Sequence, residues 1–263
     1  MIASRQPLPL HRSLALGAIG TLAFLGFWAF LARSGLVSPL FLPGPVAVAE
    51  RFATLTERPF AGGTLPAHVA SSLQRFLVGY LLAAAVGVPL GLTMGWSRLL
   101  DDIVTPIFDG LRFIAPIAWV PFAALWFGTG IGGPILIIFA GAFPPCLINA
   151  YRGARYIDAR LLEAAEMLGT PGYRMIAEVL LPAALPSIVA GLRISAGLGW
   201  QSLVGAELIV ASTGVGYMMV QAQGAVSTAT VMVGMVAIGL VGVVIDVALR
   251  TLETRLRRHH GQA

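Results

Sequence analysis

Six apolar stretches, separated by short polar segments, run along the chain. Their residues are 13–32, 76–96, 113–128, 134–150, 183–209 and 229–249. Most of them approach the roughly 20 residues that an α-helix needs to cross about 30 Å of hydrocarbon. The third and fourth stretches are shorter, and the glycine-rich segment 129–134 between them leaves a re-entrant hairpin as the alternative to two short spans. The pattern predicts an all-α membrane protein with about six transmembrane helices.

The composition agrees with this class of protein. Of the 263 residues, 57% are hydrophobic and 11% are charged, and the mean hydropathy is +0.84. Soluble domains carry about 25% charged residues, so we expect a single domain embedded in a membrane. The first stretch follows Arg5 and Arg12 as a signal peptide would, but its apolar core is too long and no small-residue cleavage site follows it. We therefore expect a retained anchor.

The absence of certain residue types excludes several kinds of chemistry. All 17 basic residues are arginine. Without lysine the chain has neither the phosphate-binding residue of a P-loop nor a Schiff-base amine, so any ATP must be bound by another chain. Cys146 is the single cysteine, which excludes an intrachain disulfide, and we assign the pair His259–His260 to a basic tail rather than to a metal site. We expect no catalytic residue, no metal and no cofactor in this chain, and a transport subunit rather than an enzyme.

The arginines also indicate orientation. If the chain crosses the membrane six times, twelve of the 17 arginines lie on one side, four on the other, and Arg193 lies inside a span. Arginine is enriched on the cytoplasmic side, so both termini are predicted to be cytoplasmic, with Arg112 on that side and Arg75 on the other. Because the arginines flank apolar stretches and do not alternate with aromatics, we expect membrane lipid and no nucleic acid as a partner.

The chain is predicted to have three parts. Residues 1–70 form an N-terminal anchor span and an extracytoplasmic connector, residues 71–250 form the transmembrane core, and residues 251–263 form a basic cytoplasmic tail. Within the second span, small residues recur at four-residue spacing, which predicts close packing against another helix. These residues are Gly87, Gly91 and Gly95.

The core includes a polar segment, residues 151–182, which we call the elbow. Asp158 is expected to cap a helix that ends before Gly169, because glycine fits the residue that follows a helix end. A second short helix, 173–180, then leads to Pro182 and the fifth span. The prediction is therefore a helix, a glycine turn and a second helix on the cytoplasmic side.

The elbow also carries a spaced motif. It consists of Glu163-Ala164-Ala165, three further residues, Gly169, nine further residues, and Val179-Leu180-Leu181-Pro182. This resembles the EAA loop of ATP-binding-cassette (ABC) importer permeases, EAA-x3-G-x9-I-x-L-P, with valine in place of isoleucine. Other segments resemble the sulfonate, taurine and nitrate branch of these permeases, so that the resemblance covers roughly residues 40–250. They are residues 41–45, 118–121, 126–128, 181–186, 191–194 and 206–208.

The resemblance implies a type I ABC-importer transmembrane domain that works as a homodimer in a bacterial inner membrane. Two separate cytoplasmic subunits would bind ATP and Mg, and an extracytoplasmic binding protein would deliver the solute. The implied solute is a small organic sulfonate of the taurine or alkanesulfonate type, or a related anion. Nitrate, bicarbonate and a thiamine-precursor pyrimidine are alternatives. An alternative of another class is a stand-alone ion-coupled secondary carrier, which would need charged groups deep in several spans.

The motif residues have different expected roles. The resemblance implies that the surface formed by Glu163, Ala164 and Ala165 docks on the ATPase. The alternative for Glu163 is a helix-stabilising pair with Arg160 or a solvated face. Gly169 is expected to be required by its backbone conformation, and Pro182 marks the entry into the fifth span.

The fifth span and its neighbours hold the candidates for the translocation path. The candidates are Trp119, Arg193, Trp200, Gln201 and Glu207. A charge inside a span needs a partner, so Arg193 either attracts an anionic solute or pairs with a carboxylate such as Asp109. Glu207 precedes a break at residues 211–216 and is expected either to line the path or to bond the backbone of that turn. For the tryptophans, the alternative to a cavity lining is an interfacial belt.

Overall fold

The computed structural model of this protein describes residues 10–128 and 130–259, and in these ranges it is helical, with one isolated β-bridge between Phe60 and Gly63. Arg5 and His260, which entered the predictions above, lie outside the described residues. A 3-10 turn at Pro116–Trp119 precedes α5, and a π-helical segment at Met175–Leu180 precedes α9. The helices are α1 (Leu10–Arg33), α2 (Pro45–Glu57), α3 (Leu65–Trp96), α4 (Arg98–Leu111), α5 (Val120–Phe127), α6 (Gly132–Arg155), α7 (Ala159–Met167), α8 (Gly172–Arg174), α9 (Leu181–Val210), α10 (Val215–Gly224) and α11 (Thr228–His259).

The described part of the chain has five helical segments long and apolar enough to cross a membrane. They are His11–Arg33, Leu65–Trp96, Gly132–Arg155, Met175–Val210 and Thr228–Arg255. A sixth span is formed by α4 together with Pro116–Phe127 if this pair, which is bent by 85°, is counted as one. The prediction of an all-α membrane protein with about six spans is confirmed. The stretch 113–128, which the sequence predicted as the whole third span, covers only the second helical segment of this bent pair.

The core of the bundle is built from three long helices. Side chains of α3, α6 and α9 form its central apolar cluster, in which the ring of Phe76 stacks on Tyr80 and meets the edge of Trp200. Helix α6 lies between the other two. Helix α1, by contrast, contacts α2 and leaves most of its apolar side chains exposed, as expected for a helix that faces lipid.

The small residues of α3 allow α6 to approach closely. A Cβ atom added to Gly87 would lie 2.9 Å from the Cβ of Cys146, and one added to Gly91 would meet the backbone of α6 at Leu147. Gly95 faces Ala154 in the same way. The close packing predicted from the four-residue spacing is therefore confirmed, and α6 is the partner helix.

Replacing Gly91 by valine should destabilise the bundle by about 1–3 kcal/mol, because the new side chain would collide with main-chain atoms that have no room to move. The expected result is a lower midpoint of thermal unfolding in detergent. Gly110 on α4 offers the matched control, since a Cβ there would meet no atom within 4 Å. Equal unfolding midpoints for Gly91→Val and Gly110→Val would contradict the packing argument.

The two ends of the bundle are distinct. The C-terminal ends of α3 and α6 lie beside the elbow, and we call this the elbow end. The N-terminal ends of α3 and α6 and the C-terminal end of α9 lie at the opposite, distal end. Tyr151 of α6 donates a 2.8 Å hydrogen bond to Asp101, which ties the start of α4 to the elbow end.

Candidate coupling elbow and translocation path

The first helix of the elbow is defined by local capping. Asp158 accepts a hydrogen bond from the backbone N–H of Arg160 at 3.0 Å, and α7 begins at the next residue, Ala159. At the other end Gly169 adopts φ +71°, and its N–H donates to the carbonyl of Glu166. Left-handed backbone of this kind favours glycine. The predicted cap and the predicted turn are both present.

The elbow is attached firmly to the base of the fifth span. Ala165 is 7% exposed and packs in one cluster with Met175, Leu180 and Ala184. The second predicted helix, 173–180, is helical but includes π-helical turns, and it runs directly into α9. A continuous helical segment of 36 residues, Met175–Val210, therefore leads from the elbow to the distal end.

The opposite face of α7 is exposed. Glu163 and Ala164 lie on this face. Glu163 forms no ion pair with Arg160 or with any other described residue. Met167 and Leu168 are 83% and 85% exposed. These two apolar residues were not predicted as part of the docking surface, although apolar side chains beside a glycine turn in a polar segment are a signal for one. The exposed face offers a carboxylate, small residues and an apolar tip to a partner.

At the distal end, Glu207 is the centre of a buried polar cluster. It is 2% exposed, and its carboxylate lies 2.8 Å from the Arg75 guanidinium, to which it is ion-paired. It also accepts hydrogen bonds from the hydroxyl of Ser72 at 2.8 Å and from the N–H of Gly216 at 3.0 Å. The expectation that Glu207 bonds the backbone of the 211–216 turn agrees with this contact.

The same cluster caps α10. The first backbone N–H groups of a helix have no partner within the helix. Here the N–H of Gly214 donates to Nδ1 of His68 at 3.3 Å, and the N–H of Val215 donates to the Ser72 hydroxyl at 3.0 Å. Arg75 donates to the carbonyl of Thr213 at 2.8 Å and to its hydroxyl. The turn and the start of α10 are thus bonded to side chains of α3 and α9.

Arg193 forms an ion pair with another helix. Its guanidinium lies 2.8 Å from Asp246 and 3.6 Å from Glu253, both on α11. The suggested pairing with Asp109 is wrong, because Asp109 lies 2.7 Å from Arg112. Two carboxylates beside one guanidinium neutralise its charge.

The three remaining path candidates lie in different environments. Trp200 is 6% exposed in the central core, and its indole N–H donates to the carbonyl of Ile238 at 3.1 Å. Trp119 lines an apolar cavity of about 300 Å³ between α4 and α6. Gln201 lines a second cavity, of about 370 Å³, which we call the central cleft. Its lining residues are Arg112, Ile114, Pro116, Ile117, Ala140, Gly141, Pro144, Pro145, Leu198, Gln201, Ser202 and Gly205.

Arg112 lies in a different place from the one predicted. It was predicted to lie on the cytoplasmic side, whereas it follows α4 at the bend between α4 and Pro116–Phe127 and shares the central cleft with the middle of α6. The reason is that α4, the more polar member of this bent pair, was not predicted to belong with the third apolar stretch. An arginine directly between an amphipathic segment and an apolar one is the signal that was missed.

The described residues hold no group of three or more His, Cys, Asp or Glu side chains suited to a metal ion.

Comparisons with known proteins agree on one family. The model of the family described as "Binding-protein-dependent transport system inner membrane component" matches residues 87–258. The taurine transport system permease protein TauC of Escherichia coli (strain K12) is 38% identical over 256 residues, covering 97% of this chain and 93% of that protein. The bicarbonate transport system permease protein CmpB of Synechococcus elongatus is 34% identical over 248 residues, covering 91% of this chain and 88% of that protein.

A solved structure supports the same fold. An inward-facing structure of the MetNI methionine ABC transporter has a chain that superposes with a TM-score of 0.58. The match covers 71% of this chain and 95% of that chain, at 20% sequence identity. Similarity at this level shows that the two chains share the fold of a type I ABC-importer transmembrane domain.

Proposed function

Since this chain belongs to the family of binding-protein-dependent transport system inner membrane components, we propose that it drives solute import together with a separate ATPase that docks on its elbow. The observation that carries the proposal is the exposed face of α7 on a firmly packed base. Ala165 anchors α7 to the foot of α9, and Glu163 and Leu168 face outward. The chain itself lacks the lysine of a P-loop, so ATP and Mg would be bound by the partner.

The structure supports a mechanical route from the ATPase to the path. A push on the exposed face of α7 would reach Met175 and Leu180 through Ala165, and from there the continuous helix that ends at Val210. Packed helices move as rigid bodies because interiors are dense, so a small shift at the elbow would tilt or slide α9. Alternating access would then follow the ATP cycle of two ATPases bound to a permease dimer.

The orientation in this proposal places the elbow and both termini in the cytoplasm. The elbow must be cytoplasmic to meet an ATPase, and the excess of arginines remains on that side with Arg112 taken as intramembrane. The distal cluster of Glu207 and Arg75 would then face the extracytoplasmic side, where a binding protein delivers the solute.

For the solute, we propose a small organic sulfonate of the taurine type or a related oxyanion. The support is the names of the relatives, one a taurine and one a bicarbonate transport permease. Sulfonate and bicarbonate groups share a negative charge delocalised over oxygen atoms. Nitrate has the same chemistry and is the next candidate.

The test is purification of the tagged chain from its host membrane, followed by mass spectrometry and reconstitution. We expect an ATPase at about one copy per permease, and ATP-driven uptake of radiolabelled taurine or bicarbonate into proteoliposomes when the binding protein is added. A tagged membrane protein of another family serves as the control for carry-over. Recovery of the intact chain without an ATPase, with uptake driven by an ion gradient alone, would instead support a secondary carrier.

A further inference from the structure

We propose that Arg112 is the residue that contacts the anionic group of the solute midway through the membrane, in the central cleft beside Gln201. This inference rests on the proposed function, because it assigns the chemistry of the path that the importer uses. It moves the role of attracting the solute from Arg193 to Arg112.

The depth of Arg112 follows from the helices that surround it. Helix α6 has 24 residues and is therefore about 36 Å long. Its residues in the central cleft, Ala140 to Pro145, occupy the middle of that length. On α9 the cleft residues run from Leu198 to Gly205, also well inside the span. Arg112 thus lies about halfway along the length of the bundle. At this depth an arginine is costly, and it marks a solute or ion pathway when it faces a cavity.

The charge of Arg112 is only partly compensated. Its Nε lies 2.7 Å from a carboxylate oxygen of Asp109, and the two side chains are 35% and 48% exposed. Within the described part of the chain, the two terminal amino groups of this guanidinium have no carboxylate or other hydrogen-bond acceptor. They form the planar fork that binds an oxyanion through two parallel hydrogen bonds.

Two other arginines inside the bundle are paired with carboxylates. Arg193 lies between Asp246 and Glu253. Arg75 is bonded to Glu207 and to Thr213 and is 4% exposed, so its Nε, which lacks a hydrogen-bond partner, is buried. Arg193 also lines a cavity, of about 390 Å³, but two carboxylates balance its charge there. Arg112 is therefore the intramembrane arginine, among the described residues, that faces a cavity with a single carboxylate beside it.

Aromatic rings hold the guanidinium at the edge of the cleft. It lies 4.7 Å from the ring centre of Phe113 and 6.0 Å from that of Phe108. Contacts of this kind stabilise a partly desolvated cation without neutralising it. The Gln201 side chain is exposed on the wall of the cleft and adds an amide. The volume of about 370 Å³ lies within the range of small-molecule sites.

The test uses the reconstituted permease, ATPase and binding protein, with labelled taurine and labelled bicarbonate as probes. Arg112→Gln removes the cation, and Arg112→Lys retains the charge but not the fork. Asp109→Asn breaks the ion pair between Asp109 and Arg112 but keeps the arginine. Asp109 itself does not line the cleft. Arg98→Gln removes an exposed arginine at the elbow end of the same helix. Uptake and ATP hydrolysis are measured for each variant.

We expect Arg112→Gln to lower the initial uptake rate by about tenfold or more, the effect of losing a hydrogen bond to a charged group, with Arg112→Lys intermediate. Asp109→Asn and Arg98→Gln should stay within about twofold of the wild type. Stimulation of ATP hydrolysis by the loaded binding protein should persist in Arg112→Gln, because docking and coupling do not involve the cleft.

Two results would overturn the assignment, and they differ from a failure of the proposed function. Uptake by Arg112→Gln at the wild-type rate would exclude Arg112 as a solute contact. Equal losses in Arg112→Gln and Asp109→Asn would show that the ion pair has a structural role only. If the wild-type complex takes up neither probe in an ATP-dependent manner, the proposed function itself fails, and the inference fails with it.

Discussion

Replacing Gly169 by valine is expected to abolish the ATP hydrolysis that the loaded binding protein stimulates, while the permease still inserts into the membrane. Gly169 has φ +71°, and a non-glycine residue in left-handed backbone costs roughly 1–2 kcal/mol, with more for a β-branched side chain. The turn would open to an ordinary φ, and α7 would then shift relative to the foot of α9. The measurement is the ATPase rate of the assembled complex in lipid nanodiscs, with and without binding protein.

The chain provides a control for this substitution three residues further on. Gly172 has an ordinary negative φ and no atom within 4 Å of an added Cβ, so Gly172→Val should retain coupling. Membrane insertion and ATPase binding are followed by co-purification for both variants. A wild-type stimulation ratio in Gly169→Val would show that coupling does not depend on the geometry of the elbow.

The second large effect is expected at the distal cluster, where Glu207→Ala should lower the free energy of unfolding by about 3–5 kcal/mol. The substitution leaves the Arg75 guanidinium buried without its carboxylate, and removing one partner of a buried ion pair has this cost. It also removes the acceptor for the Ser72 hydroxyl and for the N–H of Gly216. The measurement is the midpoint of thermal unfolding in detergent, read together with the yield from the membrane.

Two further variants separate electrostatics from a general loss of packing. Glu50→Ala removes an exposed carboxylate of α2 and should change the free energy of unfolding by less than about 0.5 kcal/mol. Combining Arg75→Met with Glu207→Leu removes both charges, so part of the lost stability should return. If Glu207→Ala unfolds at the wild-type temperature, the buried ion pair contributes nothing to the stability of the distal end.

The elbow shows how much a local pattern determines. The sequence predicted the cap at Asp158, the turn at Gly169 and the helix between them. Each of these depends on the conformational preference of one residue and its nearest neighbours. The π-helical turns at Met175–Leu180 were not predicted. They occur where the elbow joins α9, and the apolar contacts with Ala165 that accompany them are not legible from the local sequence.

The bent pair of α4 and Pro116–Phe127 shows what a local pattern misses. Arg98–Leu111 carries several charges and resembles a loop segment on hydropathy alone, yet Phe108 lies 8% exposed against Met94 and Leu147. Helix α4 packs mainly on α3, and Phe108 is its buried side chain in the cluster with Leu147 of α6, so one apolar contact point holds the helix against the bundle although several of its other side chains stay exposed. The depth of Arg112 depends on this packing.

The amino-acid sequence by itself determined the membrane class, the glycine face of α3 and the elbow, since all of these follow from composition and short-range periodicity. It also marked Arg193 and Glu207 as charges in the fifth span that need an explanation, whereas Arg75 was assigned to a flanking segment. Only the tertiary structure decided the partners: Arg75 for Glu207, 132 residues away, and Asp246 for Arg193, 53 residues away. A buried charge selects its partner by distance in space, and the packing of whole helices sets that distance.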